Sequence, residues 1–235
     1  MIYAIVGPTG VGKTKLSVML AKKVNAEIIN CDSMQVYKEF NIGVAKIKES
    51  EKEKIPHHLF DVVSVKDHFN AFNYQELGRK CISDIISRGK NVVIVGGTGL
   101  YLKALLYDYD FNSDKRNDKL YDFKLIGLTR DRNKLYESID KRVDIMLKEG
   151  LLEEVKSFYD KGIRSRAINT AIGYKELYGY LDGNCTYEEA VDKIKQSSRR
   201  YAKRQYTFFN NQFDNIKWYN VDEFSFEDIV NDIKK

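Results

Sequence analysis

Residues 7–14 read Gly-Pro-Thr-Gly-Val-Gly-Lys-Thr, directly after the apolar run MIYAIV and directly before a stretch of helical periodicity. This is the spacing G-x-x-x-x-G-K-[ST], and no other feature of the chain restricts the fold as tightly. Glycines at these positions allow a backbone path that other residues disfavour, so that amide N–H groups converge on one point. The following helix adds the partial positive charge of its N-terminus. Lys13 supplies a full charge, and the Thr14 hydroxyl is a ligand for Mg²⁺. The spacing predicts a strand–loop–helix unit in which Gly7, Thr9, Gly10, Val11, Gly12, Lys13 and Thr14 cradle a chain of phosphates. It leaves open which molecule carries them, and whether a phosphoryl group moves.

The sequence after this unit keeps alternating. AEIIN reads as a second strand, and residues 70–89 as an amphipathic helix capped by Asn70 and stopped by Gly89. NVVIV is a third strand, ended by the turn GGTG, and FKLIGL at 123–128 a fourth. Strand–helix alternation predicts an α/β fold: a P-loop NTPase-like parallel sheet flanked by helices, built from residues 1–130. Residues 131–235 read as mostly helical. A capping box, Thr186 with Glu189, opens a long helix, and IKWYNV with the cap Ser225–Asp228 predicts a last strand and helix returning to the core. The polar stretch 110–122 is the candidate linker.

Several function classes are disfavoured. No apolar run reaches the 18 residues of a membrane span, and MIYAIVG is too short and lacks the basic residues of a signal peptide. Cys31, Cys81 and Cys185 lie far apart, which argues against a disulfide framework or zinc site and for a reducing cytoplasm. His57, His58 and His68 lack ligand spacing and are expected in loop or packing roles. The net charge is +5, and residues 195–209 alone hold Lys195, Arg199, Arg200, Lys203 and Arg204 with no acid. A local patch of that kind is either a solvated face or the grip for an anionic partner.

Two further elements carry chemistry. Asp32 follows the AEIIN strand, at the sheet edge where ligands bind in open α/β folds, on a strand expected to neighbour the P-loop strand. It is a candidate Mg²⁺ ligand or general base, and equally a turn former, with Ser33 as a cap and Gln35 able to pair with an adenine edge. On the basic helix, Arg200, Lys203, Arg204 and Thr207 share one face, while Tyr201, Ala202, Gln205 and Phe208 lie toward another.

The ordered segments GPTGVGKT, DSMQVYKEFNIGVAK, PHHLFDV, GGTGLYLKALL, GLLEEV, AIGYKEL and YAKRQYTFF resemble the tRNA dimethylallyltransferases across most of residues 1–212. The resemblance implies that the P-loop holds the diphosphate of dimethylallyl diphosphate rather than ATP, and that a prenyl carbon moves to N6 of the adenosine 3′ of the anticodon. Asp32 is then the base at N6, Thr98 touches the diphosphate or the amine, and Arg142 closes on the diphosphate. Lys13, Thr14 and Mg²⁺ neutralise the leaving group. Asp32, Ser33, Met34, Gln35, Gly173, Tyr174, Arg200, Lys203, Arg204 and Gln205 are expected at the tRNA, chiefly its anticodon loop. A monomer is expected.

The chain departs from the family where a helical insertion usually follows the GGTGLY helix. Only DYDFNSDKRNDKLYD stands there, with Lys115, Arg116 and Lys119 as a minimal substitute for RNA contact. Competing expectations are a prenyltransferase for free adenine nucleotides, a P-loop small-molecule kinase and a non-catalytic RNA-binding relic.

Overall fold

Strand β1 (Ile2–Val6) is buried along its whole length, as a strand must be when helices cover both faces of a sheet. The computed structural model describes residues 1–112 and 118–233. Its sheet also contains β2 (Ala26–Asn30), β3 (His57–His58), β4 (Asn91–Val95), β5 (Phe123–Thr129) and β6 (Lys217–Asn220). All pairings are parallel, and the order is β3-β2-β4-β1-β5-β6. The α/β class with a P-loop at the sheet's carboxyl edge is therefore what the chain forms.

Side chains alternate between two apolar layers, because successive strand residues face opposite sides. Ile5, Ile28, Val93 and Leu128 pack under α1 (Lys13–Val24) and α9 (Phe226–Ile233). Ala4, Ile29, Val92 and Ile94 pack under α2 (Ala71–Ser87) and α3 (Gly99–Leu106). The helical region contributes α4 (Arg132–Lys148), α5 (Leu151–Tyr159), α6 (Arg166–Thr170), α7 (Tyr174–Leu181) and α8 (Tyr187–Gln212). Most of its buried apolar residues, such as Val143, Leu151, Tyr174 and Ile194, continue the second layer.

The caps form from the residues that predict them. Asn70 Oδ1 accepts from the amides of Phe72 at 2.9 Å and Asn73 at 3.0 Å. Thr186 and Glu189 satisfy each other's amides at 3.2 and 2.8 Å. Ser225 Oγ accepts from the Asp228 amide at 3.1 Å, opening α9.

One expectation needs correction and two are made specific. Of the loop and packing roles expected for the histidine pair, packing is what the structure shows: His57 and His58 form β3 beside Ile28 and Ile29, and a two-residue edge strand carries no periodicity to read. β2 does not neighbour β1, since β4 is inserted between them. The linker ends are pinned together: Tyr107 bridges Lys119, and the Asp108 amide donates to the Asp118 carbonyl at 2.8 Å. Lys115 and Arg116 lie outside the described residues, and Lys119 sits over the Phe123 ring at 5.1 Å. No helix among the described residues is long and apolar enough to cross a membrane.

Candidate active site

The loop between β1 and α1 turns through positive φ at Gly10 and Gly12, both at 87°, a conformation in which a β-carbon is strained. Gly12 is the residue before α1, so the first helical amides have no acceptor in the preceding turn, and Gly12, Lys13 and Thr14 line the cavity. Lys13 arches back over the loop, and its Nζ donates to the carbonyls of Gly7 at 2.9 Å and Pro8 at 2.7 Å. Ser138 of α4 donates to the Gly10 carbonyl at 3.0 Å, which fixes α4 against the loop.

That docking brings Arg142, one turn further along α4, to the same cavity as Lys13. Burial and the Arg142 charge push Lys13 down to about 7, with Asp32 opposing them weakly. Burial likewise holds Arg142 below its ordinary range, again opposed by Asp32. Among the described residues Arg142 has no hydrogen bond and no carboxylate within ion-pair distance. Two desolvated cations therefore face one carboxylate, an arrangement that an anionic ligand would complete.

Asp32 stands across the cavity at the end of β2. Its Oδ1 accepts from the Met34 amide at 2.9 Å, and its own amide donates to Asn30 Oδ1 at 3.0 Å. Asp32 is thus both a turn former and a wall of the site. The next residue, Ser33, is held by Thr98, whose Oγ1 accepts the Ser33 amide at 2.9 Å and lies 3.2 Å from Ser33 Oγ.

The cavity has a volume of ≈ 420 Å³. It is lined by most of the residues that the sequence proposes: Thr9, Gly10, Gly12, Lys13, Thr14, Asp32, Ser33, Met34, Gln35, Arg142, Gly173, Arg204 and Gln205. Others stand elsewhere. Gly7 is buried against the Leu128 carbonyl, and the Val11 side chain is 2% exposed in the core, so neither presents a side to the cavity. Thr98 sits behind Ser33 rather than among the lining residues.

Tyr174 is corrected most plainly. It is fully buried, stacked on Phe40 with centroids 4.1 Å apart, and its hydroxyl donates to Glu154 at 2.5 Å. Glu154 also accepts the amides of Ile42 and Gly43 at 2.9 and 3.1 Å. The GLLEEV and AIGYKEL motifs thus clamp the NIG segment, and Tyr174 cannot touch RNA from there. Gln205 is also redirected: only 5% exposed, it ties the P-loop to the β4–α3 turn. Gln35 reaches the cavity, but its Nε2 is spent on the Val44 carbonyl at 3.0 Å.

The basic helix divides. Lys195 and Arg199 pair with Asp144 and Asp140 of α4, both at 2.6 Å. The acids absent from the 195–209 window come from another element, which one-dimensional charge counting cannot see. Arg200, Lys203 and Arg204 are exposed and carry no ion pair among the described residues. Arg204 lines both the cavity and a shallow groove with Lys203, Thr207 and Phe208.

Sequence reasoning passed over Tyr201, which lines the cavity beside Thr98 and Gln205, and Lys175 at its rim. A signal existed for Tyr201: it lies one helical turn before Gln205, on the inward face. For Lys175 there was none.

The IPP transferase family model matches residues 35–120 and 109–212. The tRNA dimethylallyltransferase of Anoxybacillus flavithermus is 41% identical over 294 aligned positions, covering 99% of this chain and 94% of that protein. This chain belongs to the tRNA dimethylallyltransferase family. The Bacillus subtilis tRNA dimethylallyltransferase is also 41% identical, over 94% of this chain and 90% of its own length. The crystal structure of the full-length tRNA isopentenylpyrophosphate transferase of Bacillus halodurans superposes with a TM-score of 0.93 at 39% identity, covering 99% of this chain and 95% of that one. The 294 aligned positions exceed the 235 residues present here, so the tRNA dimethylallyltransferase of A. flavithermus carries a stretch without counterpart. The two segments of the family match meet at residues 109–120, which places the shortened region at the linker.

Proposed function

We propose that this protein transfers a dimethylallyl group from dimethylallyl diphosphate to N6 of the adenosine 3′ of the anticodon in tRNA, releasing pyrophosphate. The observation that carries the proposal is the pair of desolvated cations, Lys13 and Arg142, facing Asp32 across one cavity. The exposed cations of α8 open onto the same cavity through Arg204. Membership of the family supplies the substrates that this geometry suits.

In the proposed reaction the N6 lone pair forms a bond to C1 of the allylic chain. The C1–O bond breaks, and its electron pair leaves with the diphosphate. Lys13, Arg142 and the amides at the α1 N-terminus stabilise that developing charge, which is where catalysis of this kind gains most. Asp32 accepts the proton from N6. A base-paired or stacked adenine must first leave its loop, at a cost of a few kcal/mol, and single-stranded loops are where such a base is accessible.

Thr14 is the residue that would hold Mg²⁺. No group of three or more His, Cys, Asp or Glu side chains suited to a metal ion occurs among the described residues. That suits an ion which keeps most of its waters and shares substrate oxygens. When bound it would neutralise part of the diphosphate charge.

The test is direct: incubate the protein with dimethylallyl diphosphate and unmodified tRNA, AMP or ATP, and analyse nucleosides by mass. N6-prenyladenosine in tRNA is expected. Prenylated AMP alone would move the acceptor to free nucleotides, and ATP consumption without carbon–nitrogen bond formation would end the proposal. Asp32→Asn is expected to lower the transfer rate by about 10² or more.

A further inference from the structure

We propose that Gln205 is a specificity-determining residue that makes the P-loop a diphosphate site and excludes a third phosphate. The inference rests on the prenyl-transfer reading and says how that site refuses nucleoside triphosphates.

In a G-x-x-x-x-G-K-[ST] loop the backbone amides surround the phosphates, and the lysine head reaches the outermost ones. Here the lysine head marks that outer end. Lys13 Nζ lies on the carbonyls of Gly7 and Pro8, immediately before Thr9. The Thr9 amide is therefore the loop donor nearest to where a further phosphate would extend, and it is already engaged: it donates to Gln205 Oε1 at 2.9 Å. By contrast, the amides of Gly10 and Gly12 find no acceptor among the described residues.

The space beside that amide is filled as well. Gln205 is 5% exposed, and its Nε2 donates to the Gly97 carbonyl at 3.0 Å, so the side chain is held at both ends. A β-carbon on Gly97 would collide with it, which explains the glycine at that position. Gln205 thus acts as a plug between the P-loop and the β4–α3 turn, delivered by α8 from more than half the chain away. Asp32, Lys13 and Arg142 line the same cavity as this plug. A third phosphate would need the Thr9 amide and would displace the amide clamp that engages the Thr9 N–H and the buried Gly97 carbonyl.

The test compares inorganic pyrophosphate with inorganic tripolyphosphate by calorimetry on the full chain with Mg²⁺. The wild-type protein is expected to bind pyrophosphate more tightly by on the order of tenfold, the worth of one good hydrogen bond kept by the clamp. Gln205→Met keeps the length of the side chain but frees the Thr9 amide, and should remove most of that preference. Gln205→Glu keeps an acceptor for the Thr9 amide, gives up the donor to the Gly97 carbonyl, and sets a negative charge beside the place of a third phosphate, so it should hold or widen the preference; this second variant answers the question should Gln205→Met fold poorly. A preference that is the same in wild type and both variants overturns the proposal, as does a wild type that favours tripolyphosphate. The nucleoside mass assay decides prenyl transfer separately, so the exclusion of triphosphate can fail while the transferase activity stands.

Discussion

Lys13→Met should stabilise the protein in the absence of ligand. A lysine held at about 7 instead of its ordinary 10.5 is penalised as a cation in the folded state. At about 1.36 kcal/mol per pH unit of displacement, the penalty has an upper bound of about 5 kcal/mol. Solvent in the partly open cavity screens the charge, and methionine forfeits the hydrogen bonds to Gly7 and Pro8 at about 1 kcal/mol each. A net gain of about 1–3 kcal/mol remains. The pH dependence has a definite sign. Below pH 7 lysine is charged in both states and the penalty is complete. Between 7 and 10.5 only the unfolded chain binds the proton, so wild-type stability rises with pH and the advantage of the variant shrinks. Above 10.5 it is gone. Urea unfolding of both proteins at pH 6.5, 8 and 10 measures this difference. Adding pyrophosphate should stabilise the wild type far more than Lys13→Met. A variant less stable than wild type at pH 6.5, or an advantage that does not shrink toward pH 10, refutes the claim that Lys13 is held as an unneutralised buried cation.

Arg142→Ala should weaken pyrophosphate binding and lower kcat/KM for transfer by about 10²–10³, because it removes one of two charges that meet the leaving group; steady-state kinetics checks it. Glu27, 2% exposed, is held near 2 chiefly by its hydrogen bonds from Arg88, with His58 and Lys90 also near. A depressed carboxylate stabilises above its unfolded value and loses that contribution as pH falls through the folded one. Glu27→Gln should therefore cost about 2 kcal/mol at pH 6, discounted for the partly exposed Arg88, with the gap closing between pH 4.5 and 2 in denaturant titrations. Arg200→Ala and Lys203→Ala should each reduce the salt dependence of tRNA binding by about one unit of log–log slope. Arg199→Ala, whose charge is neutralised by Asp140, should leave that slope unchanged. Filter binding across 50–300 mM salt separates them.

The phosphate cradle and the alternating strands were legible in the sequence because each depends on neighbours along the chain. A turn through Gly10 and Gly12, an amphipathic stripe at Leu16 and Leu20, and the caps at Asn70 and Thr186 are all settled within about two helical turns. The family motifs also pointed to the residues around Asp32. Their separate duties were not legible. Tyr174 and Gln205 sit in segments as distinctive as the P-loop, yet one is a core residue under Glu154 and the other a clamp on Thr9.

The local order of residues by itself determined a β-strand, an anion-binding turn and a helix at the start of this chain, since backbone torsion and side-chain period act at short range. Only the tertiary structure decided which charges remain unneutralised. Asp140 and Asp144 quench Arg199 and Lys195 from another helix, and the docking of α4 on the P-loop leaves Arg142 and Lys13 facing Asp32. Electrostatic energy follows distance through space and exposure to water, and neither quantity is written in the order of residues.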